Sequence, residues 1–328
     1  MYDWNHLRSF LELARGGSAA AAAKALRVNQ STVQRHVAAL ERELGRALIE
    51  RTAQGYQLTA HGERLRQSAE AVESAAYGFQ REAELLDGAP AGHVRVTCLV
   101  TIGERMIRAG FLDRFQATHP GITVEMMMGQ RVLDLSRGEA DIAIRGGGPG
   151  GDEALVGRRI ADFPWAIYAS HAFVERHGRP NSPAEIPRFS IVELTDELER
   201  LPAVRWMKSH SQGAPIAARC GNVPSVQLAV SSGAGIAPLP AVYAAEHSDL
   251  VCVFEPIPEF YYPMYLFTHK ALRSVPRIKL FYDFCVCELK PVLFTGAMRD
   301  ATPVPHSASR CAGYSYGATS PAPSRSRA

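Results

Sequence analysis

The chain has 328 residues, enough for two or three domains that each bury a core of their own. With 46% hydrophobic and 21% charged residues its composition is ordinary for a globular protein, which excludes wholesale disorder, a collagen-like repeat and a coiled-coil rod. The formal net charge is only +3, so a nucleic-acid or membrane partner can be read only from how that charge is distributed.

Six cysteines (Cys98, Cys220, Cys252, Cys285, Cys287, Cys311) are scattered without a CxxC pair or a zinc-like His/Cys spacing, which favours reduced thiols and no metal. The N-terminal MYDWNHLRSF has no cationic stretch leading into an apolar core, and no apolar run reaches the roughly 18 residues needed to span a bilayer. A cytoplasmic protein with no membrane partner is expected.

In chain order, Leu7, Phe10, Leu11 and Ala14 form the apolar stripe of a first helix that Gly16-Gly17 should end. Ser18 is a natural N-cap for a slim alanine-rich helix over Ala19 to Leu26. Asn29 can cap a third helix running to about Leu44, with Gly45 as its stop. At about 100° per residue, Val33, Val37, Leu40 and Leu44 of this helix fall on one side, while Ser31, Arg35, Ala38 and Arg42 lie opposite, flanked by Thr32 and Gln34. Such a face suits a DNA major groove, where Gln and Arg reach base edges and hydroxyls reach phosphates. The first 62 residues hold eight Lys and Arg against five acids, a balance of +3 that equals the excess of the whole chain. A plain three-helix bundle would also have a polar outer face. The text that follows favours DNA: Leu48 to Arg51 and Thr52 to Thr59 read as two short strands joined at a glycine-bearing hairpin, a wing with Arg51 at its root.

These residues together resemble the winged helix-turn-helix of LysR-type transcriptional regulators, over nearly sixty continuous residues. The matching elements are Phe10, Ala14, Gly17 and Ser18; Ala22, Ala23 and Leu26; Leu40, Glu41, Leu44 and Gly45; and then Ile49, Arg51, Gly55, Leu58, Thr59 and Gly62. The chain departs from the family pattern at Asn29 and Gln34, where serine is usual, at Ile49, where phenylalanine is common, and in the alanine run, which often contains threonine. Asn29, Gln30, Ser31, Thr32, Gln34, Arg35 and Arg51 are the candidate DNA-binding residues, and Gln34 presents an amide that can shift base preference.

Leu65, Ala69, Val72, Ala76, Phe79, Ala83 and Leu86 repeat with an a/d spacing on one long helix. Leu65, Val72, Phe79 and Leu86 are therefore candidate dimerisation residues, the alternative being a helix docked on its own domain. Beyond the breaker-rich 88–92, strands at His93 to Val100, at ITVEMMM and at DIAIRG, with helices over Thr101 to Thr118 and Val132 to Arg137, give a βαβαβ order and a parallel sheet. Ligands bind beyond the carboxyl ends of such strands. Leu99, Thr101, Gln130 and Arg145 are effector-binding candidates there; Arg145 could instead pair with an acidic loop. Gly146 to Gly151 lacks the lysine of a phosphate loop and reads as a flexible rim. A second α/β segment has strands at Trp165 to Ala169, Ile191 to Leu194 and Ala218 to Gly221 and a helix from Pro224 to Ser232; its candidate is Asn222, with helix capping as the equal alternative.

Looser motifs extend the resemblance to about Leu289: Phe115 to Ile122, Arg131 to Leu135, Ala140 to Arg145 and Ser225 to Pro240. They imply a return of the chain at Met264 to His269 and a closing helix over Arg277 to Leu289. The expected fold is an N-terminal all-α winged helix-turn-helix (1–59) with a long linker helix (60–87) and a hinge (88–92). An α/β two-lobed effector domain like that of periplasmic binding proteins follows, with lobe 1 at 93–161 and 267–290, lobe 2 at 162–266, and a disordered Ser/Ala/Pro/Gly tail at 291–328. The resemblance implies a ligand-responsive transcription regulator with no cofactor, whose partners are double-stranded promoter DNA, a second copy in a homodimer or homotetramer, a small-molecule effector and, as a further candidate, RNA polymerase. The alternative is a solute-binding or enzymatic α/β domain carrying an N-terminal oligomerisation module. The chain shows no GxSxG or HExxH motif and no nucleophile with a base, and Cys220 and Cys252 are too far apart in sequence for the short spacing of redox pairs in peroxide-sensing relatives. No enzyme activity is expected.

Overall fold

The computed structural model describes residues 3–53, 55–86, 90–148 and 152–294. Three helices open it, α1 (Trp4–Gly16), α2 (Ala19–Leu26) and α3 (Gln30–Leu44). Asp3 accepts the N–H of Asn5 at the head of α1 and Ser18 that of Ala21 at the head of α2, while Gly17 and Gly45 end α1 and α3 in the left-handed conformation. Asn29 takes the N-cap conformation of α3 without making the expected side-chain bond. Phe10, Leu11, Leu13, Val33, Val37 and Leu40 close around the alanines of α2. Burial of each of these larger side chains contributes about 1.5–3 kcal/mol.

The hairpin is β1 (Ile49–Thr52) against β2 (Gly55–Leu58), with a shorter second strand than the sequence suggests. It is fixed to the helices at both ends. Glu41 Oε1 accepts the N–H groups of Leu48 and Ile49 at 2.7 and 3.0 Å, and the Tyr56 N–H donates to the Gly17 carbonyl at 2.8 Å. Gly55 permits that approach: at φ +121° it is in a region side chains avoid, and a Cβ there would lie 2.5 Å from the same carbonyl.

Helix α4 (Ala60–Leu86) follows, its first turn capped by the Thr59 hydroxyl, which accepts the Gly62 N–H. The a/d stripe splits between two environments. Ala69 is buried in the N-terminal core, whereas Leu65, Val72 and Phe79 are exposed, Phe79 to 77%. Ala69 thus packs intramolecularly because it borders the face that carries buried Glu73. The Leu86 side chain, and residues 87–89 of the expected linker end and hinge, lie outside the described residues.

The C-terminal domain runs β3 (Gly92–Cys98), α5 (Val100–Arg108), α6 (Phe111–Thr118), β4 (Ile122–Met128), β5 (Ile142–Gly146) and β6 (Leu155–Ser170). It continues with α7 (His171–His177), β7 (Ile191–Leu194), α8 (Pro202–His210), β8 (Ile216–Cys220), α9 (Val223–Ser231), β9 (Ala237–Pro240), α10 (Ala241–Ala244), β10 (Leu250–Phe254), β11 (Tyr261–His269) and α11 (Pro276–Phe294). Strand β3 is parallel to β4 and β5, and β11 is antiparallel to both β5 and β6. One strand serves both lobes: β6 pairs with β11 from Leu155 to Pro164, and with β9 and β10 from Trp165 to Ser170. The ladder therefore puts the crossings near 164/165 and 260/261, not at the expected 161/162 and 266/267.

Three other expectations are corrected. The helix expected over 101–118 is two helices, because Gly110 sits between them at φ +64°. Residues 132–134 are irregular and 135–138 form a turn, not a helix: Asp134 Oδ1 takes the N–H groups of Ser136 and Arg137, and Gly138 follows at φ +68°. Helix α11 continues to Phe294 with Val292 and Leu293 buried, so residues 291–294 belong to the fold and not to the tail. Residues 295–328, like 149–151 of the glycine-rich rim, lie outside the described residues. Among the described residues no helix is long and apolar enough to cross a membrane.

Candidate nucleic-acid interface and effector lobes

Helix α3 turns Val33, Val37 and Leu40 inward and leaves Asn29, Gln30, Ser31, Gln34, Arg35, Ala38 and Arg42 exposed, with Thr32 half-buried beside them. Arg51 is exposed on β1, directly opposite Tyr56 of β2 in the hairpin register. Sequence reasoning missed Tyr56. The Gln34 Nε2–H donates to its hydroxyl at 3.0 Å, which ties the middle of α3 to the wing. An aromatic beside the hairpin glycine was the available signal.

Charge on this surface is left uncompensated. Among the described residues Arg27, Arg35, Arg42, Arg46 and Arg51 enter no ion pair, while Glu41 is engaged by the backbone of Leu48 and Ile49. Exposed guanidinium groups without carboxylate partners attract phosphates.

In the C-terminal domain four effector candidates come together at one end of the lobe 1 sheet. Parallel register sets Cys98 level with Met128 and with Ile144, so Leu99, Gln130 and Arg145 each follow a neighbouring strand position. Their surroundings differ. Leu99 is half-buried as the N-cap of α5, and its carbonyl accepts the N–H groups of Ile102 and Gly103. Thr101 is buried, and the Met128 side chain lies over Gly103 so closely that a Cβ there would be 2.2 Å from Sδ. Gln130 is exposed.

Arg145 lies over the Phe267 ring, its guanidinium carbon 5.1 Å from the centroid. Burial lowers its pKa against the opposing pull of Asp134 and Asp152, the acidic-loop alternative raised by the sequence. Asn222 is in lobe 2, where its Oδ1 accepts the Ser225 N–H at 2.9 Å and caps α9. A polar seam joins the lobes: Arg105 of α5 donates to the Val242 carbonyl at 2.8 Å and pairs with Glu246, which Arg108 meets at 3.1 Å. Among the described residues no group of three metal-ligating side chains could hold an ion.

Two families account for these two halves. The LysR substrate binding domain matches residues 87–290, and the bacterial regulatory helix-turn-helix protein, lysR family, matches residues 4–63. The chain belongs to the LysR family of transcriptional regulators. Both matches are to regulator domains, which sets aside the enzymatic alternative.

Among LysR-type relatives, an HTH-type transcriptional regulator of Xanthomonas campestris pv. campestris is 34% identical over 192 residues, 56% of this chain and 53% of that protein. The chain thus spans about half the length of that curated relative. The full-length structure of the Vibrio cholerae virulence activator AphB is 22% identical, with a TM-score of 0.59 over 87% of this chain and 99% of that one. Full-length CbnR, solved in complex with its target DNA, is 21% identical, with a TM-score of 0.53 over 86% of this chain and 98% of that one. At these identities the solved structures bear on the fold alone, and that fold is an N-terminal helix-turn-helix domain followed by a two-lobed substrate-binding domain.

Proposed function

We propose that this LysR-family protein binds promoter DNA and regulates transcription in response to a small molecule taken up between its C-terminal lobes. The observation that carries the reading is the outward face of α3, where Gln34 and Arg35 stand exposed beside a wing arginine and, among the described residues, neither arginine enters an ion pair. CbnR was solved on its target DNA with the same fold, which supports it. Asn29, Gln30, Ser31 and Thr32 would contact DNA at the head of α3, and Leu99, Thr101, Gln130, Arg145 and Asn222 remain the candidate effector contacts. With the Asn222 amide engaged in capping α9 and Thr101 buried, Gln130 and Arg145 are the more available groups. Such a protein works in the cytoplasm, with RNA polymerase as a further candidate partner at the promoter.

A second copy would cover α4. Val72 and Phe79 are 51% and 77% exposed on the side of the helix away from Glu73, and apolar side chains so placed gain from a partner helix.

The test is binding of full-length protein to duplexes selected from genomic fragments, measured against salt. Affinity should fall steeply with salt as phosphate contacts release counterions. Arg51→Ala should weaken all duplexes alike and Gln34→Ala should erode preference for the selected site; a flat salt response with no preferred fragment refutes the reading.

A further inference from the structure

Gln34 does not stand alone on the recognition surface. The Tyr56 hydroxyl takes one of its two Nε2–H groups, and among the described residues the Gln34 side chain makes no other hydrogen bond. Tyr56 is itself fixed: its N–H is held by the Gly17 carbonyl, its ring packs on the N-terminal core, and Gly55 before it has no space for a side chain. Arg51 is its register partner across the hairpin, so the two side chains share one face of the wing. The result is a contiguous strip of Arg51, Tyr56 and Gln34, with exposed Ala38 one helical turn beyond Gln34 leaving room for an approaching base edge.

From this arrangement we infer that Tyr56 is a positioning residue for base readout, and that the base read by Gln34 is adenine. The inference rests on the DNA-binding reading above. With one N–H tethered, the Gln34 amide offers its Oε1 as an acceptor and its second N–H as a donor. The adenine edge in the major groove is the complement, an N6–H donor beside the N7 acceptor. Guanine presents two acceptors there, which would set O6 or N7 against Oε1. Cytosine has only a donor to offer and thymine only an acceptor and a methyl group. An untethered glutamine can rotate its amide about the terminal torsion and settle for several of these edges. Tyr56 removes that freedom. The positioning thus costs little at the moment of binding, because the strip is assembled before DNA arrives.

The experiment is selection of full-length protein on a library of duplexes with a randomised core, followed by sequencing, for the wild type, Gln34→Ala, Gln34→Glu and Tyr56→Phe. Wild type should select an adenine at two symmetry-related positions with roughly tenfold preference, as expected of a bidentate contact. Gln34→Ala should abolish that preference. Tyr56→Phe keeps the ring and should reduce it several-fold at those positions only, with melting temperature, salt slope and affinity for a non-specific duplex unchanged. A purely structural role for Tyr56 would move those last quantities. Gln34→Glu, whose carboxylate can only accept, should shift the preference to cytosine and keeps the test open should Tyr56→Phe fold poorly. The proposal is overturned if Tyr56→Phe selects the same sequence as wild type, or if the Gln34-dependent position is not adenine. A wild type that selects nothing defeats the DNA-binding reading itself, a result distinct from either.

Discussion

Arg137 of the C-terminal domain lies 3.6 Å from the Glu73 carboxylate of helix α4, the group that Arg15 of α1 grips through two hydrogen bonds at 2.6 and 3.1 Å. Glu73 is buried, and Glu70 one turn earlier accepts a further bond from Arg137 at 3.0 Å. Burial would lower the Arg15 pKa, but hydrogen bonding and attraction from Glu73, then from Glu12, outweigh it and leave the group more firmly protonated than usual. One carboxylate thus joins the first helix, the long helix and the turn that precedes β5.

Replacing Glu73 by Ala should therefore cost about 2 kcal/mol of stability, the scale for charged hydrogen bonds lost from a largely buried site, with Glu70 making good part of it. Calorimetry of the full chain would show the loss, and it should persist at high salt, where exposed ion pairs fade. Arg137→Ala should cost less, because Arg15 keeps its carboxylate; a larger loss than for Glu73→Ala would contradict this picture.

The chain should tolerate truncation after Phe294 and not after Lys290. Removing Val292 and Leu293 from the core forfeits about 3–6 kcal/mol, taking each as a fully buried aliphatic side chain. Residues 295–328 are rich in Ser, Ala, Pro and Gly with few large apolar groups, so their removal should leave the melting temperature unchanged. Equal melting temperatures for the two truncations would refute the role given to the end of α11.

Acid should weaken the N-terminal domain through His36. Burial, then the His6 ring 5.1 Å away and Arg35, hold the imidazole below its ordinary 6.5, against a weaker opposing pull from Asp3; its Nδ1 lies 2.9 Å from Ser9 Oγ and Glu43 faces His6. A depressed pKa means that the unfolded chain takes up the proton first. The stability is complete above 6.5, declines as pH falls from there through the folded value, and is constant below it. Thermal melts between about pH 7.5 and pH 5 should show the decline, and His36→Gln should flatten it.

Thiol chemistry should separate the cysteines by burial. Cys98 and Cys252 are pushed up to about 12 and Cys220 is raised, burial being the main cause in each; Cys285 is raised well above its ordinary value by burial and by Cys98. Cys287 is exposed. Iodoacetamide near neutral pH, followed by peptide mapping, should find Cys287 modified first among these five, because the thiolate is the nucleophile. Rapid labelling of Cys252 would show that its surroundings open in solution.

What could be read from the sequence was what local chemistry decides. Ser18, Gly17 and Gly45 mark their helix ends wherever they stand, and the apolar period of α3 fixes its inner face. The helix expected over 132–137 failed because Asp134 offers the backbone a competing bond that periodicity does not register. The a/d spacing of α4 cannot say that Ala69 is claimed by the chain's own core while Leu65, Val72 and Phe79 stay exposed. Gln34 was picked out, while its partner Tyr56, 22 positions on, was invisible until the hairpin folded back. Asn222 had two equal readings, and only the distance to the Ser225 N–H shows the amide engaged as a cap.

Strand β6 has a consequence for how such chains can diverge. Because one unbroken strand is a member of two sheets, a crossover between related genes within 155–170 would ask each half of a foreign strand to match a ladder it did not grow up with. A shift of a single residue would invert every side chain between core and surface in both lobes at once. Segment exchange is easier in the irregular stretches 245–249 and 255–257, where little regular pairing is at stake, so this strand should be inherited as a block together with the strands it pairs with.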